Sequence, residues 1–219
     1  MASDMAEMLR DIRREMASTT GWVGKDQLDA RVMAAMAAVP RHEFVPEEEQ
    51  ADAYRNGPLP IGHGQTISQP YIVALMTDLL APAADQVVLE IGTGCGYQAA
   101  VLSRVVRQVY SVEVVPALAE AAAERLKALG YDNVRVRCGD GYQGWPEYAP
   151  YDGIIVTAAA PAIPSSLVAQ LKPSGRMVIP VGPPYGSQTL CVVTRDTAGE
   201  THRREILPVA FVPMTRGEG

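Results

Sequence analysis

The stretch Val87-Val-Leu-Glu-Ile-Gly-Thr-Gly-Cys-Gly-Tyr97 is a short apolar run with an acid near its end, followed by glycines at 92, 94 and 96. Consecutive apolar residues suit a parallel strand covered on both faces. Glycines directly after such a strand allow a tight turn and let backbone approach a ligand closely. The stretch therefore predicts the strand–turn–helix unit of a nucleotide-binding α/β fold. The turn alone does not say which ligand it holds.

The pattern extends outward from this unit. Strands are predicted at 87–91, 108–114, 134–138, 152–157, 176–181, 189–194 and roughly 205–212, and helices at 97–106, 116–129 and 163–171. The alternation implies right-handed crossovers and a mostly parallel sheet. No helix separates the last three strands, so the seven-stranded sheet is expected to end in an antiparallel hairpin. Upstream, Met5–Met16 and Gln27–Val39 carry apolar residues at helical intervals, with Asp26 as a cap for the second and Pro40 as its end. Residues 54–69 hold three glycines and two prolines and read as an irregular loop, and Pro70–Leu80 reads as a helix with proline in its first turn. The expected fold class is α/β: a Rossmann-like three-layer sandwich with an N-terminal helical cap. It is expected to form one domain over residues 1–219, with cap and loop at 1–82 and the core at 83–219.

Composition narrows the function classes. With 219 residues, 47% of them hydrophobic, the chain can bury a full core. No apolar run approaches the roughly 20 residues of a membrane span, and Met1–Arg14 lacks the apolar centre of a signal peptide. Three cysteines show neither metal-ligand spacing nor an even disulfide framework, so no metal is expected. A net charge of −6 argues against a nucleic-acid partner. Cytoplasm and a monomer are the simplest expectations, with no membrane partner.

Three cofactor classes share this architecture: a nucleoside triphosphate, a dinucleotide and S-adenosyl-L-methionine. The first needs a Gly-Lys-Ser/Thr ending that 92–97 lacks. The second wants its third glycine three residues after the second, whereas Gly96 follows Gly94 by two. Glu113 ends the second strand, where a carboxylate can accept bonds from ribose hydroxyls, and Asp140 ends the third, where it can accept from an adenine amino group. For Asp140 the plainer reading is an Asx turn. S-adenosylmethionine fits best because its sulfonium and ammonium tolerate Glu90 beside the turn. A pyrophosphate would be repelled there.

Several further segments carry a resemblance. Gly64-Gln-Thr-Ile-Ser-Gln-Pro-Tyr71, Tyr151-Asp-Gly-Ile-Ile-Val-Thr157, Leu171-Lys-Pro-Ser-Gly-Arg-Met-Val-Ile-Pro-Val-Gly182, Phe211-Val-Pro-Met-Thr215 and Val39-Pro-Arg-His-Glu-Phe-Val45 resemble the signature segments of the protein-L-isoaspartate O-methyltransferase family. The resemblance covers nearly the whole chain. It implies methyl transfer from S-adenosylmethionine to the α-carboxylate of L-isoaspartyl residues in damaged proteins and peptides, beginning a repair through methyl ester and succinimide. It also implies roles: Ser68 as the active-site serine, and Gln65, Thr66 and Ile67 along the cofactor. Glu90, Gly92, Gly94, Gly96, Glu113, Asp140, Gly141 and Thr215 are implied as cofactor contacts, and Val212 as a grip on the substrate backbone.

The chemistry accounts for so sparse a site. A carboxylate acceptor with an ordinary pKa of about 4 is already ionised, so no general base is needed. Positioning one oxygen in line with methyl and sulfur is the main task. A neutral hydroxyl orients such a nucleophile without draining it, which suits Ser68. On spacing alone, Ser68 reads as a helix N-cap. Trp22 and Trp145 read as packing groups, and His63 as a polar loop residue facing the cleft. Two rival functions stand beside this one: methyl transfer to a small-molecule acid, and a cofactor-binding adaptor without catalysis.

Overall fold

A computed structural model describes residues 2–216. Seven strands form one sheet in the order β5-β4-β3-β6-β7-β8-β9: β3 Val87–Ile91, β4 Gln108–Glu113, β5 Val134–Cys138, β6 Tyr151–Val156, β7 Leu171–Val181, β8 Gln188–Arg195 and β9 Thr201–Val209. Strands β3 to β7 pair in parallel, and β8 and β9 are antiparallel additions. The chain runs outward from β3 to β5, then returns to the other side of β3 with β6. The reversal opens a crevice at the carboxyl ends of β3 and β6, where α/β sheets hold ligands.

The apolar run at 87–91 behaves as its pattern demands. Val88 joins the core on one face of the sheet, while Leu89 and Ile91 join the other. Ile155 and Val178 fall with Val88, whereas Ile154, Val156, Met177 and Ile179 fall with Leu89. This is the two-residue alternation of a pleated strand, with both faces covered. Glu90 shares the parity of Val88 and so points into an apolar layer. The same core takes in Met8, Ile12 and Met16, which lie at four-residue intervals on α1 (Ala2–Ser18).

A short α2 (Thr20–Val23) and α3 (Ala30–Ala38) complete the cap, and α4 (Pro70–Leu80) is almost wholly buried between cap and sheet. Helices α5 (Tyr97–Ser103), α6 (Pro116–Ala128) and α7 (Ser165–Ala169) flank the strands.

Four local expectations change. The cap of α3 is Asp29, whose side chain accepts from the Arg31 amide at 2.8 Å, and Asp26 does not cap it. The Asp29 amide is pinned by Asp78 Oδ1 at 2.7 Å, and Lys25 pairs with that same carboxylate, so the helix starts where the anchor is. The loop at 54–69 contains a small hairpin, β1 (Leu59–Pro60) against β2 (Thr66–Ile67), too short to leave a periodic signal. Strand β7 starts at Leu171, not 176: Lys172–Gly175 is a bulge opposite Tyr151–Gly153, which is where a strand tolerates Pro173. Strand β9 starts at Thr201 because the Asp196–Gly199 turn is tight, and its polar residues occupy an exposed sheet edge.

Candidate active site

The carboxyl ends of β3, β4 and β6 open into a cavity. Eight of the residues singled out by sequence line it together: Gln65, Thr66, Gly92, Gly94, Glu113, Gly141, Val212 and Thr215. Ile91, Val112, Val114, Thr157, Ala158, Pro213 and Met214 complete the walls. The C-terminal segment reaches the cavity by leaving the sheet after β9. The Ala159 amide donates to the Val212 carbonyl and the Met214 amide to the Ala159 carbonyl, both at 2.8 Å. The Tyr142 hydroxyl adds a bond to the Met214 carbonyl, and the Arg216 guanidinium lies over the Tyr142 ring.

The remaining predicted cofactor residues stand around this cavity. Ile67 is buried and lines a neck that connects it to Ser68. Gly96 starts α5 and faces Leu126 and Ala122, so its lack of a side chain serves packing between α5 and α6. Asp140 closes an Asx turn by accepting from the Tyr142 amide at 2.9 Å.

Two carboxyls set the electrostatics. Glu113, 5% exposed, accepts from the Gly94 amide at 2.8 Å and from the Val115 amide at 2.9 Å, tying the glycine turn to β4. Glu90 is fully buried behind the turn. One of its oxygens accepts from Ser111, whose hydroxyl is 2.6 Å from Thr93 Oγ1, and the other has no hydrogen-bond partner among the described residues. Burial pushes the Glu90 carboxyl up to about 8, with the Ser111 bond opposing and the nearby Glu113 adding to the rise. An orphaned acceptor behind the turn, Glu113 in the wall and no lysine or arginine among the lining residues fit a cationic sulfonium and ammonium. They do not fit a pyrophosphate.

Ser68 lines both the neck and a second, larger cleft. The N-cap of α4 is Gln69, not Ser68. The cleft runs between the cap and the segment Leu207–Val212. Glu15 and Gln69 in its wall belong to a polar chain with no signal in the sequence. Glu15 Oε2 accepts from Asn56 Nδ2 at 2.5 Å and from Gln69 Nε2 at 2.9 Å, while Asn56 Oδ1 accepts from the Tyr71 amide at 3.0 Å. Trp22 lines this cleft and is 61% exposed, so it is not the packing group its residue type suggested. Trp145 is buried and donates to Glu147. His63 is an exposed turn residue at φ 53° and lines neither cleft nor neck. Thr66 and Thr157 border the cavity, the neck and the cleft alike, so the three meet at this pair.

Comparison with known proteins gives one consistent result. The family model described as protein-L-isoaspartate(D-aspartate) O-methyltransferase matches residues 22–219. The chain is 63% identical to protein-L-isoaspartate O-methyltransferase 2 of Syntrophobacter fumaroxidans, over 97% of this chain and 86% of that protein. It is 59% identical to the protein of the same name from Nitrosococcus oceani, over 95% of each. A solved structure titled protein-L-isoaspartate O-methyltransferase superimposes with a TM-score of 0.84 at 28% identity, covering 98% of this chain and 67% of that one.

Proposed function

The chain belongs to the protein-L-isoaspartate(D-aspartate) O-methyltransferase family, and from that premise we propose how its residues divide the methylation of L-isoaspartyl α-carboxylates. S-adenosylmethionine, when bound, supplies the methyl group on a sulfonium. Gln65, Thr66, Gly92, Gly94, Glu113, Gly141 and Thr215 form its walls in this reading, with Glu90 behind them, and Ile67 lines the neck. Gly96 sets the approach of α5, and Asp140 holds Gly141 in place. Ser68 orients the acceptor carboxylate, and Val212 holds the peptide backbone.

The observation that carries this division is the position of Ser68. It borders both the neck from the glycine turn and the cleft open to solvent. A carboxylate held by its hydroxyl stands between donor and bulk protein, where no base is required. Transfer neutralises a cation and an anion, so the apolar side chains of Ile72, Val209 and Phe211 favour it once a bound peptide covers the cleft and excludes water. The ester formed then closes to a succinimide, whose hydrolysis returns part of the material to aspartate. Specificity rests on the extra backbone methylene of isoaspartate, read through main-chain contacts.

The proposal includes a cytoplasmic monomer without nucleic-acid partners, acting as one domain. Three free cysteines support a reducing compartment. Among the described residues no helix is long and apolar enough to cross a membrane. The apolar core shared by α1, α4 and the sheet supports a single unit. The test is incubation with labelled S-adenosylmethionine and paired peptides that differ only in isoaspartate or aspartate. Label in the isoaspartyl peptide alone is expected. Equal labelling, or none despite bound cofactor, overturns the assignment.

A further inference from the structure

The acceptor cleft contains one carboxylate of its own. Glu15 lies on its wall, half-buried, one hydrogen bond from Gln69, the residue that follows Ser68. Both bonds it accepts fall on Oε2, and Oε1 accepts none among the described residues. No cation among them pairs with it, and the cleft lining holds no lysine, arginine or histidine. This placement is unfavourable for a site that must admit a carboxylate, because like charges repel. A neutral glutamine at 15 could accept the same two bonds without that cost. The arrangement makes sense if the charge is used on a cation.

Trp22 supplies the second element. It lines the same cleft with 61% of its surface exposed, on the short helix that follows Thr19. The Thr19 hydroxyl donates to the Glu15 carbonyl at 3.0 Å and the Thr19 carbonyl accepts from the Trp22 amide at 2.9 Å, which ties Glu15 and Trp22 to one corner of the cap. An acid and an exposed indole in one cleft suit an ammonium or guanidinium, through charge attraction and a cation–π contact.

Resting on the isoaspartyl reading above, we propose that Glu15 and Trp22 form a specificity subsite for a basic side chain flanking the damaged residue. The enzyme then repairs isoaspartyl sites beside lysine or arginine faster than neutral ones, and acidic ones slowest. The subsite adds to main-chain recognition and biases it.

The test is kcat/KM for three isoaspartyl peptides that differ only in a flanking lysine, alanine or glutamate, with the substitution placed on each side in turn. Lysine is expected to exceed alanine by about fivefold on at least one side, as a solvent-exposed ion pair with a cation–π contact allows. Raised salt should compress the series. Glu15→Gln keeps an acceptor for Asn56 and Gln69 but removes the charge, and should bring the three peptides within about twofold of each other. A purely structural role for Glu15 leaves the ratios untouched. Trp22→Ala, at an exposed position, should lower the lysine advantage about twofold. A flat series in the wild type, or a full lysine advantage in Glu15→Gln, overturns the subsite while methylation itself proceeds. Methylation of none of the three peptides overturns the isoaspartyl reading and the subsite with it.

Discussion

Thr157 donates a 2.6 Å hydrogen bond from Oγ1 to the carbonyl of Gly92, and the same hydroxyl occupies the space that a side chain on residue 92 would need. Gly92 also sits at φ 92°, a conformation that L side chains rarely adopt. Gly92→Ala therefore meets strain and overlap together. A stability loss of about 2–4 kcal/mol is expected, with cofactor affinity reduced at least about tenfold. Calorimetry with S-adenosylmethionine and thermal melts measure both. Adding Thr157→Ala should restore part of the loss, since it removes the overlap but not the strain. Failure of the double variant to recover would place the whole cost in the backbone.

Ser68→Ala separates orientation from binding. Loss of one positioning hydrogen bond costs on the order of 1–3 kcal/mol, so turnover should fall roughly tenfold to a few hundredfold. Cofactor affinity should stay within about threefold, because Ser68 lines the neck and the cleft but not the donor cavity. If the variant loses cofactor binding instead, Ser68 belongs to the donor site and the proposed division of roles fails.

Glu90 makes stability depend on pH in a defined direction. Its carboxyl moves from an ordinary 4.5 up to about 8 on folding, mainly through burial. Between these values the folded protein keeps a proton that the unfolded chain has lost. Unfolding then releases a proton, so stability falls as pH rises through this window. Glu90→Gln removes this contribution, and its melting temperature should gain on the wild type from pH 5 to pH 8. A cationic ligand nearby favours the ionised carboxylate, so cofactor binding at pH 7 should expel a proton from the wild type and not from the variant. Titration calorimetry in two buffers of different ionisation enthalpy measures this. Equal proton release by both proteins would mean that the cofactor does not sense Glu90.

The sheet was legible because its signals are local. Strand β3 declares itself by an apolar run and β5 by its alternation of Val and Arg, and glycine marks a helix end, as Gly130 does at φ 75°. Gly92, Gly94, Glu113 and Gly141 of the donor cavity are legible for the same reason, since they sit at or just after strand ends, whereas Gln65, Thr66, Val212 and Thr215 are legible only through the resemblance of their segments. Of the acceptor cleft, Ser68 and Val212 are legible through the same resemblance, and its polar side is not. Glu15, Asn56 and Gln69 are 41 and 54 residues apart along the chain, and their meeting is set by how α1 packs on α4. Nothing in the α1 pattern distinguishes Glu15 from an acid on a solvated face, because Met8, Ile12 and Met16 account for its apolar stripe. Residue type favours burial of Trp22, whereas its helix is four residues long and leaves it exposed on the cleft. Strand β9 was placed about four residues late since Thr201–Glu205 is a polar edge without alternation.

Gln188 gives the last test, and sequence offered no hint of it. Its buried side chain donates to the Phe211 carbonyl at 3.0 Å and accepts from the Phe211 amide at 2.6 Å, bridging the point where the chain leaves β9. The following residues have their own anchor on Ala159, so the two ends of the C-terminal segment are held independently. Gln188→Ala should therefore free the wall of the acceptor cleft at 209–211 without releasing Met214 from the donor cavity. Losing this bonded pair is expected to cost about 1–3 kcal/mol, seen as faster amide exchange over these residues and a rise of up to about tenfold in peptide KM. Cofactor affinity should change far less. If affinity for cofactor and peptide fall together, the segment moves as one piece and Ala159 does not hold its far end alone.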